Sequence, residues 1–153
     1  MCRWISYKYG FGTYIHYING YLSKDTFKQS KDVLKQLLQD EKVSKSNVYV
    51  DSIISPSYTS ALAQVIQLSS ISGKENNLIL LAFEESEKER FAEILSNFKL
   101  LQATGFDVAI YKTDEEKINK KEEIHVWISS RDYENSNMMI LLSYIISSHP
   151  EWK

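Results

Sequence analysis

The chain has 153 residues, 43% hydrophobic and 25% charged, and its 18 basic and 20 acidic side chains give a formal charge of -2. That balance excludes a chain too polar to fold, and it offers no electrostatic footprint for nucleic acid or an anionic membrane. At this length about 70% of the unfolded surface can be buried, so one domain spanning 1-153 with a single core is expected, without help from metal or disulfide.

A bilayer-spanning helix needs about 20 mostly apolar residues. The longest apolar stretch, Met138 to Ile146, falls well short of that and includes Ser143, so no direct membrane insertion is expected. The start, Met1-Cys2-Arg3-Trp4, lacks the charged, apolar and small-residue succession of a secretory signal, and a reducing, cytosolic compartment follows as an expectation. The one basic cluster, Lys117, Lys120 and Lys121, is interleaved with Glu115, Glu116, Glu122 and Glu123, which predicts a solvated loop.

In chain order, Thr13 to Gly20 is rich in β-branched and aromatic residues and closes on glycine, the pattern of a strand. From Thr26 to about Glu41 the residues Phe27, Val33, Leu34, Leu37 and Leu38 share one helical face, with Ser23 or Asp25 as cap. Val48 to Ile54 predicts a second strand, closed by Ser55 and Pro56. Ser57 then caps a helix whose buried stripe is Leu62, Val65, Ile66 and Ser69, with Gly73 as its stop.

Leu78 to Phe83 is an unbroken apolar run, which predicts a central strand covered on both faces. One long helix is expected over Ser86 to Thr104, with Phe91, Ile94, Leu95, Phe98 and Leu101 buried and Gly105 ending it. Phe106 to Tyr111 and Ile124 to Ile128 predict two further strands, separated by a charged loop from Lys112 to Glu123. A last helix runs from about Ser136 to Ser148 and stops at His149 and Pro150. The alternation of about five strands with four helices predicts an α/β fold: a three-layer, Rossmann-like or universal-stress-protein-like sheet, mostly parallel, with helices on both faces.

In such sheets ligands gather beyond the carboxyl ends of the strands. A dinucleotide loop would need Gly-x-Gly-x-x-Gly after the first strand, yet the only Gly-x-Gly, Gly10 and Gly12, precedes it. Neither a phosphate-cradling Gly-x-x-x-x-Gly-Lys nor a Gly-x-Ser-x-Gly nucleophile turn is present. His16, His125 and His149 stand apart from one another and from the spacing of zinc ligands, so no metal is expected; His16 and His125 are expected inside strands. Asp51, in the second strand, and Asp132, past the last one, are the two weak candidates for a ligand or acid-base site, each with a turn or capping role as the plainer alternative. Universal stress proteins bind ATP with a glycine-rich motif after a late strand, whereas Tyr111 to Asp114 holds no glycine.

The closing segment carries Ile124-His125-Val126-Trp127-Ile128, then Asp132, then Met138-Met139-Ile140-Leu141-Leu142-Ser143-Tyr144-Ile145-Ile146 and Trp152. It resembles the end of the cytosolic carboxy-terminal domain of cation-chloride cotransporters. There an Ile-Asp-Val-Trp-Trp strand leads through an Asp-Gly-Gly turn into a leucine-rich helix and a tryptophan. Asn19-Gly20-Tyr21, Ala63 to Gln67 with Ser72-Gly73, and Asn77 to Phe83 are similar to that family's earlier landmarks, so the likeness covers about residues 12 to 152. His125, Ile128, Ala82 and the stretch Tyr133 to Asn137 depart from the family pattern.

The resemblance implies a non-catalytic regulatory and dimerisation domain on the cytoplasmic face of the membrane. Its partners would be the transmembrane domain of the same transporter and a second copy of itself, and it would need no cofactor. It also implies that residues 1-12 are the remnant of a preceding helix or linker and that the chain is a piece of a longer transporter. A universal-stress-type sensor binding ATP or another nucleotide is the alternative, and a small enzyme using Asp51 and Asp132 a third reading.

Overall fold

The computed structural model describes residues 1-8, 10-44, 46-68, 76-113 and 121-152, with the backbone alone at 40-44. Over these residues the protein is mixed α/β. A short helix α1 (Cys2–Ser6) precedes strand β1 (Gly12–Asn19), helix α2 (Lys24–Ser44), strand β2 (Val48–Ser55) and helix α3 (Tyr58–Val65). Strand β3 (Leu78–Glu84), helices α4 (Lys88–Ser96) and α5 (Phe98–Ala103), and strand β4 (Asp107–Thr113) follow. Helix α6 (Ser136–Ser147) and a 3-10 turn (Pro150–Trp152) close the chain.

The strands form two parallel pairs. β1 runs beside β2 in register from Gly12 opposite Val48 to Asn19 opposite Ser55, and β3 beside β4 from Leu78 opposite Asp107 to Glu84 opposite Thr113. A parallel pair requires a crossover, and α2 supplies the first while α4 and α5 supply the second. Local chemistry sets their starts. Ser23 Oγ accepts the Thr26 amide at 3.2 Å while Thr26 Oγ1 accepts the Ser23 amide at 2.9 Å, a reciprocal cap for α2. Ser57, past the strand-ending Pro56, accepts the Ser60 amide and opens α3.

A cluster of Tyr58, Leu62, Leu81, Ile94 and Leu101 forms the main core, with Tyr17, Ile66, Ile79, Phe83 and Val108 packed around it. It therefore draws on both strand pairs. Ser30 of α2, which is buried, meets the half-buried Ser52 of β2 at 2.7 Å between hydroxyls. Where α1 crosses the start of β1, a Cβ at Gly12 would meet Cys2 Sγ at 2.7 Å and force the thiol to shift.

Five sequence expectations change. The described residues hold four strands in two separate sheets, not one sheet of five. Leu78 to Phe83 accordingly has a strand on one side only and is not a centre covered on both faces: Leu81 is buried, but Ala82 is exposed. Ile124 to Ile128 is no strand: 121-129 holds no regular secondary structure, and Trp127 is 83% exposed. A strand exists only where a neighbouring edge takes its amides and carbonyls, and among the described residues no strand pairs with this segment.

The expected single helix over Ser86 to Thr104 is two, broken at Asn97. Its side-chain amide donates to the Glu93 carbonyl at 2.8 Å and its backbone amide is shared between the Glu93 and Ile94 carbonyls, so the α ladder stops there. The break leaves Ile94 and Leu101 buried while Phe91, Leu95 and Phe98 turn outward. Gly105, at φ +72°, ends α5 as expected. In α2 the expected apolar stripe is only partly used, Phe27 and Leu38 being exposed. α3 stops at Val65, and Ser69, Gly73 and most of the charged loop lie outside the described residues.

Candidate functional site

Arg90 collects the most chemistry at the strands' carboxyl ends. Tyr17 stands two positions before the end of β1, Tyr58 opens α3 just past β2, and Arg90 lies in the first turn of α4 just past β3. The Arg90 guanidinium carbon sits 3.9 Å from the Tyr58 ring centroid and 5.8 Å from that of Tyr17, and the two rings are 5.9 Å apart at 60°. Cation and ring quadrupole attract, which holds the guanidinium over the Tyr58 ring.

Its carboxylate partner among the described residues is Glu93, with which it forms an ion pair. Nη1 stands 3.6 Å from Glu93 Oε2, too far for a hydrogen bond, and among the described residues neither the guanidinium nor either phenol makes one. Burial pushes both phenols above their ordinary range; Glu93 raises them further and Arg90 opposes. At neutral pH both are therefore neutral O–H donors. The turn feeding α4 is acidic, with Glu84, Glu85, Glu87 and Glu89 against Lys88. Lys112 offsets part of this through Glu85 at 2.8 Å. The arrangement can hold an oxyanion, but it contains no nucleophile with an adjacent base.

The two sequence candidates are not brought together by any shared partner. Asp51 is exposed on β2, opposite Ile15, and its Oδ1 accepts the amide of Ser52 at 2.7 Å. Asp132 builds the turn before α6: Oδ2 accepts the Ser129 amide at 2.8 Å and the Ser129 hydroxyl at 2.6 Å, and its carbonyl accepts the amides of Asn135 and Ser136. The hydroxyl and then the amide of Ser129 hold the Asp132 carboxyl below its usual range. Asp132 is a turn residue, whereas Asp51 is a strand residue whose carboxylate is taken up by the amide of its own neighbour.

A second cluster fastens the ends of the chain. Glu151 takes Arg3 on one oxygen, and on the other Lys121 at 2.8 Å and the Trp4 indole at 3.2 Å. Lys121 Nζ also lies 5.0 Å above the Trp4 ring, Trp4 meets Trp152 edge-on at 5.3 Å, and Tyr7 meets the buried His149 at 4.7 Å. Lys121, expected in a solvated loop, is thus part of a structural clasp. The hydrogen bond from Lys121 lowers the Glu151 carboxyl most, and burial lowers the His149 imidazole. His125 lies in the exposed irregular stretch, paired with Glu123 at 2.9 Å, and is not inside a strand; His16 does lie in β1.

Among the described residues no three His, Cys, Asp or Glu side chains gather as metal ligands do, and no helix is long and apolar enough to cross a membrane. Neither cluster was found from the sequence. The signal for the first was the position of Tyr17, Tyr58 and Arg90 at three strand ends, which becomes readable only with the packing of β1 near β3. The second rests on contacts 147 and 148 positions apart. Compared with known proteins, the chain matches no family model and no curated protein.

Proposed function

We propose that this chain is the cytosolic regulatory and dimerisation domain of a cation-chloride cotransporter, and that it catalyses nothing. Its action is coupling: a pair of domains beneath the membrane biases the transport helices by contacting their states unequally. The observation that carries the reading is the closing unit of the chain. Its Trp127 segment, the Asp132 turn and the apolar helix α6 follow one another in the order of that family's carboxy-terminal domain.

The reading requires a five-stranded parallel sheet in the assembled protein, with helices on both faces. Tyr17 of β1 and Leu81 of β3 pack on one core cluster, which supports setting the two pairs side by side with Ile124 to Ile128 joining beyond β4. Trp127, Ile128, Tyr133, Ile140, Leu141 and Tyr144 are exposed, and so much apolar surface in one stretch of chain supports a covering partner. In the assembled dimer, hydrogen exchange should protect the amides of 124-128 as strongly as those of β4; exchange as fast as in an open loop counts against the sheet.

Sedimentation equilibrium tests the dimer, and thermal melts with ATP test the nucleotide-sensor alternative. The expected results are a reversible dimer and no shift with ATP. A monomer at all concentrations, or a stabilisation of about 2.7 kcal/mol at a hundredfold excess of ATP over its dissociation constant, would overturn the reading.

A further inference from the structure

The formal charge of -2 conceals a local separation on α2. Lys24, Lys28, Lys31 and Lys35 form no run in the sequence, yet at about 100° of turn per residue they fall within an arc of about 60° on one face of the helix. All four are exposed, and among the described residues none pairs with a carboxylate. The far face of α2 packs on β2, where the buried Ser30 meets Ser52 and where Val33, Leu34 and Leu37 are half-buried.

A lysine stripe alone is a solvated face, since long stems keep their charged heads in water wherever they lie. What singles this one out is its border. Asp25 and Asp32 follow the stripe along one side only. Along the other stand Phe27 and Leu38, 52% and 46% exposed, and Tyr21 and Leu22 lead into the helix at 79% and 77%. Lys31 Nζ lies 5.2 Å from the Phe27 ring centroid, so cation and exposed ring share one patch. The apolar border decides the partner. A nucleic-acid backbone rewards the lysines through its phosphates but not Phe27 or Leu38, whereas a bilayer interface takes apolar side chains below the headgroups and lysines at their level.

We propose that α2 docks this domain on an anionic phospholipid surface, lying along it with Phe27 and Leu38 dipped below the headgroups and Lys24, Lys28, Lys31 and Lys35 among the lipid anions. At 1.5 Å of rise per residue the four lysines span about 16 Å of helix, so they engage the surface as a row. No segment crosses the bilayer; the contact is peripheral, reversible and weakened by salt. The inference goes beyond the transporter reading and does not depend on it, because it uses neither the closing segment of the chain nor a second copy.

The test is flotation of the full chain with vesicles of phosphatidylcholine alone and of phosphatidylcholine mixed with phosphatidylserine, with a DNA duplex at equal phosphate concentration as competitor. The chain is expected to float with the serine-containing vesicles only, to fall off as added salt shortens the Debye length from about 8 Å to about 3 Å, and to stay on the vesicles in the presence of DNA. Each lysine near the surface is worth about fivefold in affinity, so the combined Lys28→Gln, Lys31→Gln and Lys35→Gln variant should bind on the order of a hundredfold more weakly. Phe27→Gln keeps every charge and should weaken binding by at least about threefold, since part of the ring no longer leaves water. That single exposed change, with the salt series, decides the matter if the triple variant does not fold. Flotation with neither vesicle, equal flotation with both, affinity unchanged in the triple variant or in Phe27→Gln, or release by DNA would overturn the proposal and leave the stripe as a solvated face or a nucleic-acid contact.

Discussion

The carboxylate of Glu151 accepts the indole N–H of Trp4 at 3.2 Å across 147 positions of sequence, so α1 and the 3-10 turn are held as one unit. Arg3 and Lys121 share the same carboxylate, whose side chain is 33% exposed. Exposed ion pairs contribute at most about 1 kcal/mol, and a half-buried carboxylate with three donors belongs at the upper end of that range. Glu151→Gln should therefore cost about 1 kcal/mol by denaturant titration and speed exchange of the α1 amides; Trp4→Phe, which keeps the ring and drops the donor, should cost less. Equal stability of Glu151→Gln and the parent would show that the clasp is a surface coincidence.

The same cluster sets a pH dependence with a definite sign. Burial lowers the His149 imidazole in the folded protein, so the unfolded chain binds the proton more readily, and stability falls as pH drops below the unfolded value of about 6.5. Glu151, lowered first by the Lys121 hydrogen bond, contributes stability above its unfolded value of about 4.3, and that contribution is lost as pH falls through its folded value. Both act in the same direction. The melting temperature should decline in two stages on acidification; His149→Gln should flatten the upper stage and Glu151→Gln the lower, whereas a constant melting temperature between pH 7 and 5 contradicts the assignment of His149.

The break at Asn97 makes a third prediction. A continuous helix would bury Ile94, Leu95, Phe98 and Leu101 together, but the structure buries only Ile94, at 1% exposure, and Leu101, at 0%. Ile94→Ala and Leu101→Ala should each cost about 3 kcal/mol, the usual loss for a large apolar side chain removed from a packed core. Leu95→Ala, at 51% exposure, should cost well under half of that. Equal losses at the three positions would restore the single helix.

What could be read from the sequence was local. The start of α2 at Ser23, the Ser57 cap after Pro56, the strand-forming runs at Thr13 to Gly20 and Leu78 to Phe83, and the stop at Gly105 are each decided within a few residues. The Asn97 break was not legible, because asparagine in an apolar helical stripe competes with the ladder only when its side chain finds the carbonyl one turn back. Nor was the state of Ile124 to Ile128: its composition suits a strand, but pairing depends on an edge supplied by distant chain. The Arg90 cluster failed to announce itself for the same reason, since its three elements meet only through packing.

The most direct measurement of the functional account is the sequence of the genomic reading frame and its transcript upstream of the Met1 codon. The account predicts that the frame stays open and encodes about a dozen apolar spans of roughly 20 residues each, followed by a further strand and helix joined to Arg3-Trp4-Ile5. An in-frame stop directly before Met1, or an upstream frame without such spans, would contradict it.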